Sequence, residues 1–210
     1  MITTYGYPQH PYTRASSSYS AVVQLYARSG QLPTNLSCAA RFHDGSRLCR
    51  FGCSSLEDAH HLFVECHFFE HLRDEYSSLL VSDVDHMLSN TSLPNPLLSH
   101  ILHMVTHLFK DNVSWPLGSS RFYLGLIPPL LPPNLLNESL SLEATRLITR
   151  LAHSCHSHAI RLTARIWGTV VRHYIAATSP SKAPTKSDRE ALLRNSQLTL
   201  PPHLHYLLKL

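Results

Sequence analysis

The chain has 210 residues, 43% of them hydrophobic and only 15% charged, so it carries enough apolar mass for a folded domain with a core and is not disordered by composition. Lys and Arg exceed Asp and Glu by 18 to 14, a net +4 with neutral histidine, which permits a polyanionic partner without demanding one. No basic segment followed by an apolar core opens the chain, and no run reaches the roughly 18 apolar residues of a membrane helix, so no secretory route and no membrane partner are expected. An odd count of five cysteines then favours a reducing, intracellular setting, nuclear or cytoplasmic, and metal ligation over disulfides.

In chain order, residues 1–19 are rich in Tyr, Pro, Ser and Thr without periodicity and read as a disordered tail. A short helix is expected from Ser20, as its N-cap, to Ser29, with Val22, Val23 and Tyr26 as its apolar stripe and Gly30 as its stop. A second short helix follows, capped by Thr34 or Asn35, and Asp44-Gly45 turns the chain toward Cys49. From Ser55 to about Leu80 the pattern predicts a helix capped by Ser54 or Ser55. Leu62, Cys66, Phe69, Leu72, Tyr76 and Leu79 face the core, and Glu70, Arg73, Asp74 and Glu75 face water. Another helix is expected over 96–110, completing a helical domain across 20–111.

Residues 112–137 contain Trp115-Pro116, Pro128-Pro129 and Pro132-Pro133, which exclude continuous helix, while Phe122, Tyr123, Leu124, Leu126 and Ile127 predict an extended strap packed over the helices. Residues 138–178 form the longest regular element, an amphipathic helix with Ile148, Leu151, Cys155, Ala159, Leu162, Ile166 and Val170 on one side. Residues 179–210 read as a basic linker and a short terminal helix. The fold class is therefore mainly α, a small helical domain followed by a long C-terminal amphipathic helix.

The densest chemistry lies between Leu48 and Tyr76. Cys49, Cys53, His61 and Cys66 follow the spacing Cys-x3-Cys-x7-His-x4-Cys, four soft or borderline donors within eighteen residues. Thiolates with a neutral imidazole suit a closed tetrahedral zinc site, structural because no position is left for a reacting water. His61 and Cys66 are five apart, about 140° around an ideal helix, so the helix must start late or be distorted for both to reach one ion. His60 is the weaker candidate ligand, and His67 and His71 belong outside the ligand set. Cys38 and Cys155 read as core thiols.

Arg146, Arg150, Arg161, Arg165 and Arg172 share the opposite side of the long helix, a spacing of positive charge that suits the phosphates of RNA or DNA. No stacking aromatics interleave with them in the sequence, and a protein partner along the same helix is the alternative. Enzymatic signals are poor. Asp83 and Asp85 lack a phosphate loop or further acids and read as helix-end residues, and no Gly-x-Ser-x-Gly context exists. No catalytic residue is expected.

Arg28, Gly30, Pro33 and Asn35, then Cys49 and Cys53, then Glu57, Asp58, His61, Leu62, Phe63 and Cys66, then Phe68, Leu72 and Arg73 together resemble the zinc-binding segment at the C-terminal end of non-LTR (LINE-type) retrotransposon reverse transcriptases. The resemblance covers about a quarter of the chain, and its x3 cysteine spacing departs from the x2 form of many members. It implies a structural zinc site and a role in nucleic-acid handling. Nothing matches a polymerase palm, an endonuclease or an RNase H acid cluster, so it implies a detached C-terminal piece without polymerase activity.

Overall fold

The computed structural model describes residues 15, 17–43, 45–89, 91, 93–112, 115, 118–131 and 141–178. The N-terminal tail before Ala15, the Pro132-Pro133 pair, the expected start of the long helix at 138–140, and the basic linker with its terminal helix lie outside these residues.

Five α-helices carry the architecture: α1 (Ser18–Arg28), α2 (Asn35–Phe42), α3 (Glu70–Leu88), α4 (Asn95–Thr106) and α5 (Leu142–Thr178). Among the described residues there is no strand, only a single bridge between Leu48 and Leu56. The expected mainly α fold with a long C-terminal helix is what the chain forms. At 37 residues, α5 runs about 55 Å and is the axis on which α1 and α3 pack, with α4 against the outer side of α3.

Local chemistry sets the ends. Ser17, not Ser20, caps α1: its Oγ accepts the Ser20 N–H, and Ser20 itself is buried in the first turn. The cap of α2 is Thr34, accepting from Ser37 N–H, and the helix stops at His43 in the left-handed region with φ 55°. α4 starts at Asn95 with Pro96 in its first turn, where a missing N–H costs nothing, and ends at Thr106, short of the expected Lys110.

The largest departure from expectation lies between Ser55 and Leu80. No single helix spans it: a π turn over His61–Glu65, a kink at Cys66 and a 3-10 turn over His67–Phe69 precede α3, which then runs on to Leu88. Neither Ser54 nor Ser55 caps anything here; Asp58 Oδ1 accepts the His61 N–H at 2.7 Å. α3 buries Leu72, Arg73, Leu80, Val84 and Leu88, a stripe turned past the expected Leu72, Tyr76 and Leu79 because the helix runs on to Leu88. Leu79 is therefore half exposed, while Arg73, assigned to the wet side, is 4% exposed.

One core joins α1, α3, α4, α5 and the strap, with Phe63, Phe69, Phe109, Phe122, Leu151, Leu162 and Ile166 fully enclosed. The strap is docked over the helices: Trp115, Phe122, Tyr123, Ile127, Leu130 and Leu131 are buried, although Leu126 is not. Burial on α5 goes beyond the predicted stripe to Ile160, Thr163, Ala164 and Trp167, so only a narrow face of this helix meets water.

Candidate metal centre and arginine face

The metal centre begins as a turn. The Leu48–Leu56 bridge and the Cys49 N–H to Ser55 carbonyl bond of 3.0 Å fold the chain back on itself. Gly52 at the tip takes φ 86°, a conformation that strains any residue with a Cβ, and it places Cys53 beside Cys49. Glu57 locks this turn to α2. Its carboxylate is fully buried, accepts the backbone N–H groups of Asn35 (2.7 Å) and Arg50 (2.9 Å), and pairs with the Arg50 guanidinium. Arg50 also reaches the Asn35 side chain at 3.1 Å, and Asn35 donates to the Leu48 carbonyl at 2.8 Å.

The π turn supplies the other two donors. Cys66 N–H donates to the His61 carbonyl at 2.7 Å, and this five-residue step brings to one side two residues that an α-helix would set about 140° apart. The anticipated local distortion is therefore present, and it gathers the predicted set. The donor atoms of Cys49, Cys53, His61 and Cys66 all lie within 4.8 Å of one another, a group that could hold a metal ion. Cys66 Sγ is 3.8 Å from Cys49 Sγ and 3.7 Å from Cys53 Sγ. Two thiolates on one tetrahedral zinc, each at about 2.3 Å, sit about 3.8 Å apart, whereas a disulfide needs about 2.05 Å. All five cysteines are free. His61 Nε2 is buried and has no hydrogen-bond partner among the described residues, which leaves it free to ligate an ion.

Burial pushes the Cys49 thiol above its ordinary range, an effect that hydrogen bonds from the Phe51 and Cys53 backbone oppose. Burial likewise pushes Cys66 up to about 12, aided by the neighbouring thiols. Two buried thiols that resist ionisation, Cys49 and Cys66, beside the half-buried Cys53 are the environment a dication stabilises: bound there, it would take three thiolates and one neutral imidazole and release protons. The donor set fits zinc.

A surrounding layer of groups orients the ligands. His61 Nδ1 faces Glu65 Oε2 at 3.4 Å, which directs the opposite nitrogen to the thiols. His60 is outside the cysteine cluster, pointing to Asp111 Oδ2 (3.1 Å) and Glu65 Oε1 (3.6 Å). Asp111 also accepts the Ser120 N–H, so this network ties the metal turn to the strap. Arg73 donates to the Cys66 carbonyl at 3.0 Å from a buried position, holding the kink and placing a cation beside the thiols. Burial lowers its pKa, which Cys66, Glu70 and Asp74 partly restore. Asn35, Arg50, Glu65 and Arg73 carry this geometry; the sequence signalled Asn35 and Arg73 only through the family resemblance, and Arg50 and Glu65 not at all. His67 and His71 are surface residues.

The metal turn docks on the end of α5. Phe51 stacks on Phe68 (4.4 Å), packs edge-on to Phe69 and lies 4.8 Å from the His173 ring, while Arg50 sits 5.9 Å over Tyr174. Along α5, Arg146, Arg150, Arg161, Arg165 and Arg172 are all exposed on its one open face. The tertiary fold adds what the sequence lacked there: Tyr19 of α1 and Tyr76 of α3 line a cleft with Arg161, Arg165 and Arg172. Asp83 is not merely a helix-end acid, since it bonds His158 Nε2 at 2.8 Å and joins α3 to α5. Cys155 is a fully buried core thiol.

Comparison with models of known families, with curated proteins and with solved structures found no match. No helix among the described residues is long and apolar enough to cross a membrane.

Proposed function

We propose that this chain is a nucleic-acid-binding accessory module stapled by a structural zinc ion on Cys49, Cys53, His61 and Cys66, without catalytic activity of its own. Its origin is the C-terminal zinc-binding segment of a non-LTR retrotransposon reverse transcriptase, whose motif the residues from Arg28 to Arg73 resemble. The observation that carries the reading is the face of α5. Apart from Leu142 and Tyr174 its large apolar side chains are covered within the fold, and what it turns outward includes five arginines, with Glu143 and His153, on a helix braced by the metal turn. Positive charge at intervals on a rigid rod is what phosphates require, whatever the base sequence.

A protein-interaction or purely structural module, or a non-functional transposon remnant, is the second reading. What favours it is a set of exposed large side chains around the metal turn, Phe42, Leu48, Leu56 and Phe68. Nucleic-acid binding separates the two, and metal content tests the Cys/His site that both share. The nucleic-acid reading expects about one zinc per chain by native mass spectrometry and RNA or DNA binding that falls steeply between about 50 and 200 mM salt. Reversing the charge of Arg150, Arg161 and Arg165 weakens that binding; no binding at low salt overturns the reading.

A further inference from the structure

Where α1 and α3 both meet the C-terminal half of α5, they leave an open cleft of about 520 Å3, within the size range of ligand sites. Its floor is Gly168, which lies on the arginine side of the helix between Arg165 and Arg172. A Cβ placed there would stand 3.5 Å from the Tyr19 hydroxyl and 3.8 Å from Arg172 Nη1, so phenol and guanidinium converge over the position where a side chain is missing. Arg172 is steadied by donating to Thr169 Oγ1 at 2.9 Å. On the far wall Tyr76 lies edge-on to His158, which Asp83 holds. Arg161 and Arg165 stand one turn apart, about 6 Å along the axis, and Arg172 about 10 Å further. No acidic residue among the described residues lines the cleft.

Three cations on one wall and an aromatic ring on each of two others match two features of an unpaired nucleotide, its phosphates and its flat base. A base stacked inside a duplex offers only its edges and cannot enter. We propose that this cleft takes one unpaired nucleotide of a single-stranded nucleic acid, the flanking phosphates on Arg161, Arg165 and Arg172 and the base against Tyr19 and Tyr76. This rests on the nucleic-acid reading and adds a strand preference to it.

The test uses the zinc-loaded full chain and fluorescence anisotropy with three labelled probes of equal length: an oligouridylate, the same strand with abasic positions, and a DNA duplex. The single strand is expected to bind at least about ten-fold tighter than the duplex or the abasic strand. Gly168→Leu fills the floor without touching charge and favours helix. It is expected to cost the single strand about ten-fold while leaving the slope of affinity against salt unchanged. Tyr19→Leu, at an exposed rim, is expected to do the same. Charge reversal at Arg161 and Arg165 weakens every probe and lowers the salt slope.

Equal binding of all three probes, or a folded Gly168→Leu chain that binds the single strand undiminished, overturns the cleft and leaves the arginine face standing. Binding of none overturns both. The abasic comparison needs no variant, so a misfolded substitution cannot rescue the proposal.

Discussion

Glu57 shows how much one carboxylate can organise. It is fully buried, closes the first turn of α2, caps the Arg50 amide and neutralises the Arg50 guanidinium. Glu57→Gln leaves a largely buried cation without its counter-ion, and breaking such a pair costs about 3–5 kcal/mol. Chemical denaturation of the zinc-loaded protein reads this directly, and a cost under about 1 kcal/mol would rank the pair with ordinary surface contacts. Glu65 acts instead through His61, whose Nδ1 it faces. Glu65→Gln is expected to weaken zinc about 10- to 100-fold in competition with a chromophoric chelator, with little change in fold. An unchanged affinity would show that the π turn alone orients the imidazole.

Among the elements, α5 is the most exacting because most of its surface is covered. His156 sits within it, 8% exposed, and burial with the neighbouring His153 charge pushes its pKa from 6.5 down to about 4. The unfolded chain therefore takes up a proton near pH 6.5 that the folded chain refuses until about pH 4. The stability this neutral histidine contributes is complete above pH 6.5 and is lost as pH falls toward 4, up to about 3 kcal/mol. The pH profile of unfolding free energy for His156→Gln should be flatter than that of the parent in this window. Any ion held at the cysteine site would be lost on acidification from both proteins alike, so their difference isolates His156. The broken helix before α3 has an equally local cause. A continuous α-helix from Ser55 would point His61 away from Cys66, and the π turn with its kink at Cys66 is the backbone that brings them together.

In the molecule as a whole, the metal turn joins the one helical core at its edge: Cys49 and Cys66 belong to that core and Phe51 and Cys53 pack against it, but most of its apolar side chains come from α1, α3, α4, α5 and the strap. The turn's ring contacts to α5 run through Phe51, Arg50, His173 and Tyr174. Chelation or Cys53→Ser should therefore lower the melting temperature by about 10 °C while most of the far-ultraviolet helical signal survives at 25 °C. Complete unfolding on chelation would mean that the core depends on the metal outright, and no shift at all would remove the structural role.

Much of this was legible in residue order because it depends on near neighbours. Periodicity announced a mainly helical chain and the long α5, Thr34 announced the start of α2, and donor type with spacing announced Cys49, Cys53, His61 and Cys66. Even the need for a distortion between His61 and Cys66 follows from helix geometry, because five residues do not return to one face. Long-range packing settled the rest. Arg73 is inside because α3 starts afresh after Cys66 and runs on to Leu88, so that Leu80, Val84 and Leu88, rather than Leu62 and Cys66, set its buried face. Tyr19 and Tyr76 meet the arginines because α1 and α3 converge on α5, bringing together residues nearly ninety and one hundred and fifty positions apart. Spacing along a chain can choose ligands and helix faces; which distant side chain completes a face depends on how the helices pack.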